Sequence, residues 1–222
     1  MKLKFENEYK DQEVDVNLLR PNKSYDYLIK NRNGSLTDLI KNKKKLKKFL
    51  KPRSCPSCGS SNSKKTVFKD NLNIVTCTKC AMVYTSPIFD QKKYLEIYDS
   101  KEYKQIVKKI GEDSHIYRKK RFGLERFNIL NQFLKKKKPH VLELGCSTGF
   151  FLEYAKENGW HTTGLELNSS AVNFALKRGL DVINEDFLKY KFQKKYDAFL
   201  AFDVIEHLVD PKKILKKAYN LL

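Results

Sequence analysis

Long apolar runs are missing from this 222-residue chain. No segment approaches the roughly 18 to 20 uninterrupted apolar residues of a membrane span, and "MKLKFENEYKDQEVDV" has no apolar stretch behind its first lysines. That excludes a helical membrane protein and leaves a soluble, cytoplasmic one as the expectation. Internal repeats are also missing. Arginine is scarce, seven residues (Arg20, Arg32, Arg53, Arg118, Arg121, Arg126, Arg178) against 38 lysines, although the formal net charge is +19. Arginine is the better bidentate reader of phosphates and bases, so its scarcity weakens a nucleic-acid reading of that charge. The lysines run evenly through the chain, as a codon bias would place them. The densest runs, 41–51 and 135–138, read as a solvated helix face and a linker. What is present is enough for a core: 41% hydrophobic residues, in a length that holds one full domain and a small one.

Residues 1–53 are polar. Leu36, Leu39, Ile40, Leu46, Phe49 and Leu50 fall at spacings that a helix gathers on one side. A cysteine-bearing module is expected over 54–88. A helical linker over 89–138 follows, with Phe122, Phe127, Leu130 and Phe133/Leu134 at helical spacing until Pro139 stops the pattern. From 139 to 222 short apolar runs alternate with amphipathic segments. "HVLELG", a helix over 150–158, "HTTGLEL", a helix over 169–178, "LDVIN", "YDAFLAFD" and a helix from Pro211 predict βα units and a parallel sheet of four strands.

Only five cysteines occur, and four form C-x2-C-x18-C-x2-C: Cys55, Cys58, Cys77 and Cys80. Four thiolates close a tetrahedral shell around Zn2+ and leave no place for water, so the expected metal is structural. Two disulfides are disfavoured in a reducing compartment. Between the pairs, "KTVFKDNLNIVTC" supplies a hairpin's worth of β-formers. Cys146, the fifth, sits inside a glycine turn with no neighbouring base, a small residue beside a ligand and not a nucleophile.

That turn, "GCSTG" at 145–149, matches the G-x-S-x-G elbow of serine hydrolases, with Asp203 and His207 downstream in a suitable order. The acid and the histidine lie only four residues apart after one strand. It is therefore hard for Asp203 to orient His207 while both reach Ser147, and an elbow follows a central strand with several strands before it. A cofactor reading uses more residues. Gly145 and Gly149 let backbone approach a ligand, the helix from Phe150 aims its N-terminus at it, and Glu166 ends the next strand where ribose hydroxyls would be met.

Taken together, "ELGCSTG", "GLEL", "NEDF" and "YDAFLAFDVIEHLVDP" resemble the successive cofactor motifs of class I S-adenosylmethionine-dependent methyltransferases. More narrowly they are similar to the bacterial group with an N-terminal four-cysteine zinc module that often modifies sugars of surface polysaccharides. The resemblance covers about residues 53–222. It implies a Rossmann-like α/β sheet ordered 3-2-1-4 behind a small zinc-ribbon-like module and helical segments. It also implies that Glu143, through water, and the turn of Gly145, Cys146, Ser147 and Gly149 hold the methionine end. Glu166 beside Leu167 would take the ribose, Asp186 and Phe187 the adenine, and Phe202 with Asp203 would border methionine and acceptor. His207 becomes the candidate base, with a helix-capping or packing role as its alternative. Ser147 departs from the family's usual glycine, and Asp203 replaces the first glutamate of the E-x-x-E-H metal pattern that "DVIEH" resembles. The expected activity is methyl transfer to a sugar, nucleotide sugar or other small metabolite. The alternatives are a non-catalytic zinc-module scaffold and an RNA methyltransferase. Members of the family continue into a fifth strand after the last helix here, so the reading also expects a truncated sheet whose fourth strand offers an edge for self-association or a partner chain.

Overall fold

The computed structural model describes residues 13–21, 24, 26, 42–69, 72–90, 92, 96 and 100–222, and among these the lysine-rich, polar first quarter of the chain carries short elements. Helix α1 (Val16–Leu19) is capped by Asp15, whose side chain accepts from the N–H groups of Asn17 and Leu18. The Asp15 N–H donates to Tyr117 Oη at 2.8 Å, which docks α1 on a later helix. Helix α2 (Lys43–Phe49) buries Leu46; Leu36, Leu39 and Ile40 of the expected apolar side lie outside the described residues. Leu50 leaves the helical pattern. It opens β1 (Leu50–Lys51), which pairs antiparallel with β5 (Ile88–Phe89) and so ties residue 50 to the far end of the cysteine module.

Within that loop, β2 (Ser63–Lys69) and β3 (Leu72–Cys77) form the expected hairpin, and β4 (Val83–Thr85) adds a third antiparallel strand. Helix α3 (Lys101–Arg118) then runs through a π turn, Lys119–Gly123, into α4 (Leu124–Asn131). Phe122, Phe127, Leu130 and Leu134 pack against the core as their spacing predicts, while Phe133 is 45% exposed.

The parallel sheet follows: β6 (His140–Leu144), α5 (Phe150–Glu157), β7 (His161–Leu165), α6 (Ser169–Lys177), β8 (Val182–Ile183), β9 (Ala198–Leu200), a 3-10 turn over Ile205–His207 and α7 (Pro211–Tyr219). Strand order is β8-β7-β6-β9, every pair parallel, as the 3-2-1-4 reading expects. Successive residues of a strand face opposite sides, and β6 shows the consequence. Val141 joins the core under α5 and α6 with Phe151 and Trp160, whereas Leu142 joins the other core with Phe187, Tyr196 and Ile214 of α7. Full burial of Phe151, Leu142, Leu152 and Leu165 contributes about 1.5–3 kcal/mol each. With both faces covered, the C-terminal ends of β6, β7 and β9 remain as the open rim. No helix among the described residues is long and apolar enough to cross a membrane.

Candidate functional site

At the end of β6 the chain turns sharply: Gly145 has φ 69° and Ser147 φ 52°. The serine thus occupies the left-handed backbone region where glycine carries no steric cost. Gly149, at φ 74°, caps α5. A Cβ there would meet Leu180 Cδ1 at 2.6 Å, so this glycine serves close packing, and it does not line the cavity as the sequence reading expects of it. The turn is held from two sides. Ser147 N–H donates to Glu166 Oε2 at 2.9 Å, and Thr148 Oγ1 lies 2.9 Å from His115 Nδ1 on α3.

A cavity of about 360 Å³ opens over this rim, within the usual size of small-molecule sites. Its lining includes Glu143, Gly145, Cys146, Ser147, Glu166, Leu167, Asp186, Phe187, Phe202, Asp203 and His207, the expected site residues apart from Gly149 and the cysteine cluster. Glu143 is 2% exposed, and its Oε2 has no hydrogen-bond partner among the described residues. Burial pushes its carboxyl up to about 8, against the pull of Arg126. Glu166 is raised by burial as well, countered by N–H donors; Asn168 N–H takes Oε1 at 2.8 Å. Each oxygen keeps a lone pair for a further donor. Asp186 Oδ1 accepts from Leu188 N–H at 2.8 Å, and Phe187 packs at a tilt against Phe192 and Phe199.

Cys146 turns its sulfur toward Gly164, whose added Cβ would meet it at 2.5 Å. Burial raises the thiol well above its ordinary range, which disfavours the thiolate that a nucleophile needs. The elbow geometry is not formed. Asp203 pairs with Arg126 at 3.2 Å, and the nearest acid to His207 is Glu206 at 4.0 Å. His207 is an exposed cavity-wall residue and not a helix cap; Asp210 caps α7 through the Lys213 N–H.

Sequence reasoning missed two arginines of the cavity wall, Arg118 and Arg126. Arg126 lies 3.9 Å from Glu143 Oε1, with its guanidinium carbon 4.0 Å from the Phe202 ring centroid. The signal was available, since arginine is rare here and both stand on the helix just before the first strand of the sheet.

Away from the cavity, the ligand atoms of Cys55, Cys58, Cys77 and Cys80 lie within 4.8 Å of one another, and all four cysteines are free. Their sulfurs pair at 3.5 Å (Cys55 with Cys80) and 3.6 Å (Cys58 with Cys77). A disulfide needs about 2.05 Å, whereas a tetrahedron with metal–sulfur bonds of about 2.3 Å has edges near 3.8 Å. The cluster has the shape of a metal shell.

Comparison with known proteins finds similarity to methyltransferases. A family model described as "Methyltransferase domain" matches residues 117–222. That match takes in the parallel β8-β7-β6-β9 sheet and the cavity over its rim. Among curated proteins, the chain is 35% identical over 86 residues to the probable (S)-tetrahydroprotoberberine N-methyltransferase 2 of Papaver bracteatum, covering 35% of this chain and 24% of that protein. It is 23% identical over 105 residues to the ubiquinone biosynthesis O-methyltransferase of Pseudomonas entomophila (strain L48), covering 44% and 45%. The chain therefore spans less than half the length of these relatives. Among solved structures, the plantazolicin methyltransferase in complex with SAH matches at 21% identity and TM-score 0.48, over 60% of this chain and 57% of that one. The sugar N-methyltransferase of Streptoalloteichus sp. matches at 16% identity and TM-score 0.40, over 44% and 42%.

Proposed function

We propose that the cavity binds S-adenosylmethionine and that the chain transfers its methyl group to a small molecule, a sugar or nucleotide sugar of surface polysaccharide by the resemblance of the whole motif set. The observation that carries the cofactor reading is Glu143, a buried carboxyl with an unpartnered oxygen at the floor of a cavity, 3.9 Å from Arg126. A zwitterionic amino-acid end asks for this pairing: an anion for its ammonium and a cation for its carboxylate. Glu166 at the end of β7 keeps acceptor capacity for ribose hydroxyls, and Asp186 with Phe187 forms the wall assigned to adenine.

When bound, the sulfonium supplies an activated methyl for in-line displacement by a nucleophile. The chain's part is to orient and to exclude water. Gly145, Cys146 and Ser147 bring backbone against the ligand, Phe202 and Asp203 border the acceptor side, and His207 stands where it can take a proton if the acceptor must lose one. In the cysteine module we assign Zn2+ to Cys55, Cys58, Cys77 and Cys80, as a structural ion with no open position.

Titration calorimetry with S-adenosylhomocysteine tests the reading. We expect binding, with Glu166→Ala weakening it by about 1–3 kcal/mol through loss of charge-assisted hydrogen bonds. Binding of NADH with none of the methyl-donor product would refute it. Transfer from labelled donor to a panel of nucleotide sugars then tests the acceptor.

A further inference from the structure

Arg126 has acids at hand. Arg118 does not, although it lines the same cavity. Among the described residues its one hydrogen bond is Nε to Ser114 Oγ at 2.8 Å, and that hydroxyl is buried and anchored on Ile110 O. The guanidinium is therefore oriented from behind, and the four N–H bonds of its terminal nitrogens are left for a ligand. Arg126 adds to the positive potential at this group, as does Arg20 from beside α1, while Asp203, paired to Arg126, offsets part of it.

The backbone has been shaped to put it there. Eight residues along an α-helix turn through about 800°, which leaves positions 118 and 126 about 80° apart. Between them lies the π turn Lys119–Gly123, whose wider winding removes rotation, and both guanidiniums reach one cavity. Such turns are costly insertions that are frequent at functional sites. The choice of residue agrees. In a chain with 38 lysines and seven arginines, the cavity wall uses arginine, whose planar fork binds carboxylate and phosphate in bidentate fashion.

We infer that Arg118 is a substrate-specificity residue, the receptor for an oxyanion (carboxylate or phosphate) carried by the methyl acceptor. The proposal rests on the methyltransferase reading, in which Arg126 beside Glu143 serves the amino-acid end of the cofactor and leaves Arg118 for the second ligand. Neutral acceptors would then be poor substrates, and anionic ones such as sugar phosphates, nucleotide sugars or sugar acids good ones.

The test titrates pyrophosphate and malonate separately into the full chain saturated with S-adenosylhomocysteine, comparing wild type, Arg118→Gln and Arg118→Lys. At least one anion should bind the wild type. Its affinity should fall about tenfold or more in Arg118→Gln, as loss of a bidentate charged contact implies, and less in Arg118→Lys, which keeps charge without the fork. Pyrophosphate binding points to a phosphate-bearing acceptor, malonate binding to a carboxylate. The proposal is overturned if neither anion binds, or if both variants bind as wild type does. It is equally overturned if Arg118→Gln loses S-adenosylhomocysteine but keeps 5′-methylthioadenosine, which would give Arg118 to the cofactor's own carboxylate. Should Arg118→Gln fail to fold, Arg118→Lys alone decides, by its smaller but measurable loss of anion affinity at unchanged S-adenosylhomocysteine affinity. If S-adenosylhomocysteine does not bind the wild type, the methyltransferase reading fails, and the same anion titrations on the ligand-free chain still decide whether Arg118 is an oxyanion site.

Discussion

Glu143 sets the electrostatics of the cavity floor. A carboxyl held at about 8 by burial is mostly protonated at neutral pH, whereas a ligand ammonium beside it favours the ionised form. Binding should therefore release a proton near pH 7. The calorimetric enthalpy for S-adenosylhomocysteine should then vary with the ionisation enthalpy of the buffer, and affinity should rise as pH increases from 6 toward 8. Glu143→Gln should abolish both effects. The same shift has a sign for stability. A carboxyl whose folded value exceeds its unfolded value contributes stability below the unfolded value, near 4.5, and loses it as pH rises through 8. Ligand-free wild type should therefore lose stability relative to Glu143→Gln as pH climbs through that window, measured by urea denaturation. A buffer-independent enthalpy would show that Glu143 does not meet the ligand's charge.

At the scale of elements, α3 and the glycine turn are one mechanical unit. Glu153 of α5 accepts from Arg178 at 2.7 and 2.8 Å and from Lys119 at 3.2 Å, and it lies 2.6 Å from His115 Nε2. That acceptor fixes the proton on Nε2, so Nδ1 accepts from the Thr148 hydroxyl, and burial lowers the histidine's pKa to keep the ring neutral. Thr148→Val leaves a buried acceptor empty and should cost about 1–3 kcal/mol in urea denaturation, with weaker S-adenosylhomocysteine binding because Ser147 is next in the turn. Thr148→Ser should restore most of both. An unchanged Thr148→Val protein would make the contact incidental. This unit also marks where the sequence stops being readable. The βα alternation follows from periodicity, because it depends on neighbours in the chain, whereas the strand order and most of the expected cofactor residues come with the resemblance of the motif set to a methyltransferase family. The π turn and the His115 link depend on packing between the end of α3 and residues 30 to 40 positions away, which no local pattern encodes. Gly149 shows the same limit from the other side, since its φ is local but the Leu180 contact that demands a bare Cα is not.

On the scale of the whole molecule, the cysteine module is joined to the cavity by Arg53. Two residues before the first cysteine, its Nε donates to Thr85 O at 3.1 Å and a terminal nitrogen donates to Val209 O at 3.2 Å, while the guanidinium lies over Tyr84. Tyr84 packs in one core with Cys55 and Cys77, and Val209 lines the cavity beside His207. A metal that holds the four thiolates together would therefore also hold Tyr84 and Thr85, which in turn fix Arg53 against the cavity wall. Purified chain should carry one zinc per molecule. Chelation, or Cys77→Ser, should lower amide protection both in β3–β4 and in residues 204–210, read by hydrogen exchange. Arg53→Ala should keep the zinc and the β3–β4 protection and lose only that of 204–210. If the 204–210 segment stays protected after metal removal, the module is a separate fold that happens to touch the wall. If it loosens in Arg53→Ala alone, the guanidinium holds the loop whether or not metal is bound.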